Sequence, residues 1–550
     1  MSQDERKTGT GRGFTGYAED LLRVLARHPD RPAVLTADRG PLSAGGLSAL
    51  TRRLARALRA GGIGPGRTVS LLTGNTPLAL AARYAVPLTG ARLVYLYDVM
   101  PPKALAHIVA DVDTRLLLVD ASRHTDLGPL LSLVDVPAVA SLGPVPGHDD
   151  LLAPAALPSP HDPGGHTDPH EDWCIRHTSG TTGVPKAIQV THGQYKRCLD
   201  SLHVDAGDPP RFLANTPLSH VAGLCADMAL LRGGSVVLQP AFDAGATLAA
   251  IARDGVTHLW LLPPLLHQLL DHPSLSTTDV SGITRITYGG SPASAARLGR
   301  AAEVFGPVLH SWYGQSETLG LTEVRPEEHS RVGRHGQITV GRPMPGVELD
   351  IRDTNGLPLP AGGQGEIYAR SPGMMRGYWK QPELTAQTVR DGWIRTGDVG
   401  YVDDDGYLFL VGRCNDLIKV PGGGVYPSEV EAVLLTHPAI AQCAVFGVRD
   451  EDAAEHIHAA VVPAADHRIT PEELRAHVTT HLTPSYAPST VHFVADIPRT
   501  AIGKPDKNQL RTLLTRRRPA RKHTDEETAT TPGTTDKTPT ARLRRPDSTT

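Results

Sequence analysis

Between Arg31 and about Leu349 the chain alternates short apolar runs with helix-length segments, and this rhythm restricts the possible folds more than any other feature. Leu47, Leu50, Leu54 and Leu58 recur at helical spacing, and the Gly- and Pro-containing run 60–65 ends that helix. A buried-type strand at Val69, Ser70, Leu71 and Leu72, a helical stretch from Thr76 to Pro87 and a strand from Arg92 to Tyr97 follow. Strands separated by helix-length segments need crossover connections, and crossovers give parallel sheets covered on both faces. The stretch 144–170, rich in Pro, Gly, His and Asp, reads as a surface linker between two such subdomains. From Asp350 to Val411 short β segments with Gly turns take over. After Gly412 a smaller unit is expected, with a helix from Pro427 to Leu435 and strands at 443–448 and 457–463. A second helix opens with Thr470 as cap, Pro471 in the first position and Glu472 and Glu473 in the first turn. Beyond about Arg516 almost no large apolar residue remains, so the tail is expected to be disordered.

A chain of 550 residues needs more than one core. Its formal charge of -3 gives no electrostatic reason to expect nucleic acid or an anionic membrane as partner. No apolar run approaches a membrane span, and the N-terminal residues lack a signal-peptide core. Cysteines at 174, 198, 225, 414 and 443 form no CxxC pair, which argues against a disulfide framework or zinc site and for a reducing, cytoplasmic setting. The histidines are dispersed rather than clustered.

The segment from His177 to Lys186 carries the strongest chemical signal. Gly180 and Gly183 let the backbone turn and point N–H groups inward, Thr178, Ser179, Thr181 and Thr182 add hydroxyl donors, and Lys186 adds a positive charge. Such a loop suits an anion, most readily a polyphosphate, although the Walker A spacing is absent. Four further segments accompany it. Tyr313, Gly314, Gln315, Ser316 and Glu317 follow an apolar strand at Pro307–His310, on an expected turn where hydroxyls and a carboxylate could hold Mg²⁺ and phosphates. Asp398, after Thr396 and Gly397, is a turn aspartate suited to two ribose hydroxyls. Gly412 and Arg413 mark the change of texture, and Lys504 sits on a Gly loop near the end of the ordered chain. Each segment alone has an ordinary structural explanation.

Together, the order TSGTTGVPK, YGQSE, TGD, GRxxDxIK and PRTxxGK resembles the adenylate-forming superfamily of acyl-CoA synthetases, luciferases and nonribosomal adenylation domains, over roughly Arg31 to Leu514. The resemblance implies an α/β fold. A large N-terminal domain (1–411) holds two doubly wound subdomains and a small β-barrel-like one. A hinge (412–416) joins it to a small mobile α+β C-terminal domain (417–515), and a tail (516–550) follows. It also implies that the Thr178–Lys186 loop embraces the β- and γ-phosphates of ATP, and that Gly289, Gly290 and Ser291 form the adenine-side strand and turn. Tyr313 would stack on adenine, Ser316 would bind phosphate or the substrate carboxylate, and Glu317 would bind Mg²⁺. Asp398 and Arg413 would hold the ribose, and Lys504 would reach the acid oxygen and the α-phosphate. Asn415 falls at the hinge, where the family usually carries Asp or Lys. Lys419 and Gly422 match the face used for the second half-reaction, and Pro421 stands where a glycine is usual.

For the acid, Pro217–Gly223 resembles the family's gate segment, with His220 at the gate or, equally, buried as a core histidine. Val221 stands where amino-acid-activating domains place aspartate, and an ammonium buried without a counter-charge is costly, so α-amino acids are disfavoured. Trp312 either shortens the pocket floor, favouring a short or flat aromatic acid, or faces away into a core. The leading expectation is ATP-dependent activation of an aryl or short-chain acid and transfer to coenzyme A, by a monomer or homodimer. The alternatives are a carrier protein or an amine as acceptor, or nitrite as the activated anion in a diazotase-like reaction.

Overall fold

The computed structural model describes residues 14–97, 100–153, 167–177, 186–202, 207–291, 293–334, 337–420, 423–450, 452, 454–464, 467–499 and 505–515. Two large sheets dominate. In the seven-stranded sheet, Asp172–His177, Arg92–Tyr95, Thr68–Leu72, Thr114–Asp120 and Val139–Leu142 run parallel in that spatial order, with Ala187–Thr191 and Gly377–Tyr378 added antiparallel at one edge. In the nine-stranded sheet, Leu309–Gln315, Arg285–Gly289, His258–Leu261, Arg211–Ala214, Ser235–Leu238 and Pro32–Leu35 run parallel. The strand–helix alternation therefore encodes parallel sheets, as expected.

Helices between these sheets belong to one continuous core containing Val69, Leu71 and Leu93 of one sheet and Phe212, Ala214 and Val236 of the other. Pro77–Leu88 is apolar nearly all round because it is buried on all sides. Its start is set by Thr76, whose hydroxyl accepts from the Ala79 N–H at 3.1 Å. Just before it, Asn75 ties the sheets together, donating to the carbonyls of Thr216 and Gln239 and accepting from the Leu218 N–H at 3.0 Å. Each leucine fully buried here contributes about 1.5–3 kcal/mol.

Three expectations need correction. Stretch 144–170 does not join two subdomains, because the strands before and after it, Val139–Leu142 and Asp172–His177, belong to one sheet. Composition marks an exposed connection but not the sheets it links. The early strand Pro32–Leu35 pairs instead with Ser235–Leu238, so the two halves interleave. Tyr313, Gly314 and Gln315 lie on the strand Leu309–Gln315 rather than on a turn, and Asp398 lies within the strand Trp393–Val402.

That second strand belongs to a five-stranded sheet with Glu348–Arg352, Gly365–Arg370, Val389–Arg390 and Leu408–Arg413. The smaller unit is α+β. Ile440–Arg449, Glu455–Pro463 and Thr490–Phe493 form its sheet, helices Pro427–Leu434 and Pro471–His481 pack on one face, and Lys507–Thr515 packs on the other. Thr470 caps its helix, accepting from the Glu473 N–H at 3.2 Å. Among the described residues no helix is long and apolar enough to cross a membrane. The tail from 516 lies outside the described residues.

Candidate active site

The strand Leu309–Gln315 carries two side chains to opposite sides of its sheet, as the period of a strand requires. Tyr313 turns toward the five-stranded sheet, packing against the cluster of Ile351, Ile367 and Leu408. Its hydroxyl donates to Asp398 Oδ2 at 2.8 Å, and Arg413 Nε lies 3.0 Å from Asp398 Oδ1. Asp398 and Arg413 face each other in the ladder, which holds the ion pair in place. Gly397 adopts φ 69°, a left-handed conformation that suits glycine, just before Asp398. Burial and the adjacent Asp398 carboxylate push the Tyr313 phenol well above its ordinary range, so it stays a donor, while Asp398 holds the Arg413 guanidinium charged. Three residues expected at the nucleoside end thus converge.

Close approach explains the glycines beside them. A Cβ on Gly289 would come within 2.3 Å of the Trp312 carbonyl oxygen, and one on Gly314 within 2.0 Å of the Leu319 carbonyl oxygen. Gly290 turns with φ 84°, and the Ser291 hydroxyl beyond it is buried with no partner, a group that fits a nucleotide acceptor.

Next along the chain, Arg176 Nη2 donates to the Ser316 carbonyl at 3.2 Å. Glu317 is buried, and Tyr378 donates to its Oε1 at 2.9 Å. Lys186 Nζ lies 5.3 Å above the Tyr378 ring. A buried carboxylate with one oxygen secured and a lysine nearby matches the way Mg²⁺ is held with phosphates, by one or two carboxylates rather than a full protein cage. Thr178, Ser179, Gly180, Thr181, Thr182, Gly183, Gly422 and Lys504 lie outside the described residues, as does Pro421. The strand before the loop ends at His177, whose two ring nitrogens are buried without partners and whose pKa burial lowers to about 4. The strand pair Arg499–Pro505 flanks Lys504, and the Arg499 charge is felt by His267 on the helix Pro263–Asp271 of the large domain.

At the acid end, His220 is the N-cap of the helix Val221–Leu231. Its Nδ1 lies 2.7 Å from Ser219 Oγ, and its ring packs on Tyr97 with centroids 4.6 Å apart. Trp312 turns toward this helix, opposite to Tyr313, and borders a cavity of about 50 Å³ shared with Cys225, Met228, Phe212 and Arg285. Its Nε1 donates to Glu323 Oε1 at 3.1 Å, and Arg285 and His310 share that same oxygen. Burial works to raise the Glu323 carboxyl, but His310, Arg285 and Trp312 outweigh it and hold it at about 2. Of the two orientations open to Trp312, the one toward the acid side is observed.

Lys419 and Asn415 are exposed. Lys419 is on a hairpin of Ile418–Val420 with Gly423–Val425, and its N–H donates to Glu455 at 2.7 Å. Sequence reading missed Tyr97, the Glu323 cluster and the buried Arg83–Asp227 pair behind the helix Val221–Leu231. Arg83 Nη2 lies 2.7 Å from Asp227 Oδ2, and Tyr84 and Tyr195 donate to the same carboxylate. An aspartate inside the run VAGLCADMALL was the available signal, since a charge in an apolar helix requires a partner.

Residues 21–379 match the AMP-binding enzyme family, and residues 429–504 match the AMP-binding enzyme C-terminal domain. A feruloyl-CoA synthase from Amycolatopsis is 35% identical over 84% of this chain and 92% of its own length. The amide bond synthetase McbA from Marinactinospora thermotolerans is 39% identical, with a TM-score of 0.84 over 90% of this chain and 99% of that one. An o-succinylbenzoate CoA synthetase from Bacillus subtilis, solved with its acyl-adenylate, is 26% identical, with a TM-score of 0.76 over 90% of this chain and 98% of that one.

Proposed function

The chain belongs to the AMP-binding, adenylate-forming enzymes, and from that premise we propose that it activates a compact aryl carboxylate as its acyl-adenylate and delivers the acyl group to an amine. The observation that carries the compact-acid reading is the anchored Trp312 indole, which walls the acid side opposite Tyr313. In the first half-reaction the carboxylate oxygen attacks the α-phosphorus in line, the P–O bond to the β-phosphate breaks, and pyrophosphate leaves. Asp398 and Arg413 orient the nucleoside, and His220 borders the entering acid. Lys504 approaches from the smaller domain to neutralise charge between the two anions. Glu317 would hold Mg²⁺, which supplies positive charge to the leaving pyrophosphate. In the second half-reaction the amine nitrogen attacks the acyl carbon, the C–O bond to AMP breaks, and the nitrogen loses its proton.

The likeness to an amide bond synthetase at 39% identity supports the amine acceptor. Coenzyme A is the second reading, supported by the feruloyl-CoA synthase at 35% identity and by Lys419 on its exposed hairpin. Acid-dependent pyrophosphate exchange across aryl and alkyl acids tests the first half. Mass spectrometry of products formed with coenzyme A alone, with an amine alone and with both tests the second. Amide formed without coenzyme A supports the proposal, and product formed only as a thioester sinks the amine reading.

A further inference from the structure

We infer that Tyr97 is a positioning residue that joins the acid gate to the start of the phosphate loop. The parallel ladder between Arg92–Tyr95 and Asp172–His177 pairs Leu93 with Cys174 and Val94 with Ile175, then stops. Past that point the Tyr97 hydroxyl replaces the ladder, donating to the His177 carbonyl at 2.9 Å and accepting from the His177 N–H at 3.2 Å. One hydroxyl therefore fixes both polar groups of the last residue before 178–185. The ring of the same tyrosine backs His220, at 4.6 Å between centroids and 42° between planes. Tyr97 and His177 are each 5% exposed, so neither contact competes with bulk water. Burial pushes the Tyr97 phenol up to about 12, which keeps the proton needed for donation. A shift of the His220 ring must then displace the ring that secures His177, so occupancy of the acid side and order at the phosphate side are linked through one side chain.

This inference rests on the reading of 178–185 as the ATP loop, but its test needs no acid substrate. ATP affinity is measured by calorimetry for wild type, Tyr97→Phe, Tyr97→Leu, His220→Ala and the double variant Tyr97→Leu/His220→Ala, with thermal melts confirming folding. Tyr97→Phe keeps the ring and loses the hydroxyl, so ATP binding should weaken roughly three- to tenfold. His220→Ala should weaken it about two- to threefold although no nucleotide contact is removed, and the double variant should match Tyr97→Leu alone. Wild-type affinity in Tyr97→Phe or in His220→Ala, or factors that multiply in the double variant, would overturn the linkage. If the wild type binds ATP yet exchanges pyrophosphate with no carboxylate, the substrate reading fails while this cycle still decides the role of Tyr97.

Discussion

At the scale of single residues, Asp398 is the most exposed to test because it serves both Tyr313 and Arg413. Removing a charged acceptor that is nine-tenths buried leaves two donors without their partner, a loss of about 1.5–3 kcal/mol. Asp398→Ala should therefore raise the KM for ATP in pyrophosphate exchange by roughly 10- to 150-fold. The KM for acid should change far less, because Asp398 is on the Tyr313 side of its sheet. Trp312 predicts the opposite split. Trp312→Ala should leave ATP affinity within about twofold while shifting preference toward longer acids, since the indole separates the acid side from the cavity at Cys225 and Met228. A chain-length profile identical to wild type would show that the indole does not limit the pocket. Both residues were named from sequence. The partner of Trp312 was not, because Glu323 is on the neighbouring strand and meets the indole only through the antiparallel register Trp312↔Glu323.

At the scale of elements, the helix Val221–Leu231 lines the acid side and is fixed from behind by a buried ion pair. Arg83 and Asp227 are 4% and 0% exposed at their side chains, so breaking the pair strands a charge where water cannot reach it. Asp227→Ala should cost about 3–5 kcal/mol in urea unfolding. The paired change Arg83→Met/Asp227→Leu should recover much of that loss, because no lone charge remains. If the pair serves only stability, the rescued variant should also regain the wild-type KM for acid. A persistently raised KM would show that the ion pair also sets the angle of the helix. The strands made a separate lesson. Rhythm and composition predicted parallel sheets, yet Pro32–Leu35 joins a sheet whose other strands begin only at Arg211. Apolar runs specify that a strand will be buried, not which neighbour it takes.

At the scale of the whole molecule, buried histidines make stability depend on pH. Burial lowers His177, His192 and His267 to about 4 each, against an unfolded value of 6.5. Between those values the unfolded chain binds more protons than the folded one. The folded state therefore gains stability as pH rises through this window, and the contribution is fully present above 6.5. Urea unfolding at pH 7.5 and pH 5.0 should differ by about 1–2 kcal/mol per such histidine, lower at acid pH. His192→Phe removes one titrating ring that has no polar partner and should flatten the dependence. A slope unchanged in this variant would mean that His192 titrates normally.

The sequence by itself determined the chemistry and the class of fold. A glycine- and hydroxyl-rich loop, the YGQSE and TGD segments and an alternating strand–helix rhythm are local patterns, legible because each depends on residues near one another in the chain. Tertiary structure alone decided which strands became neighbours, which way Trp312 faced, and that Tyr97, His177 and His220 meet. Those outcomes depend on packing between segments far apart in sequence, where many pairings bury similar area and only the assembled core selects one.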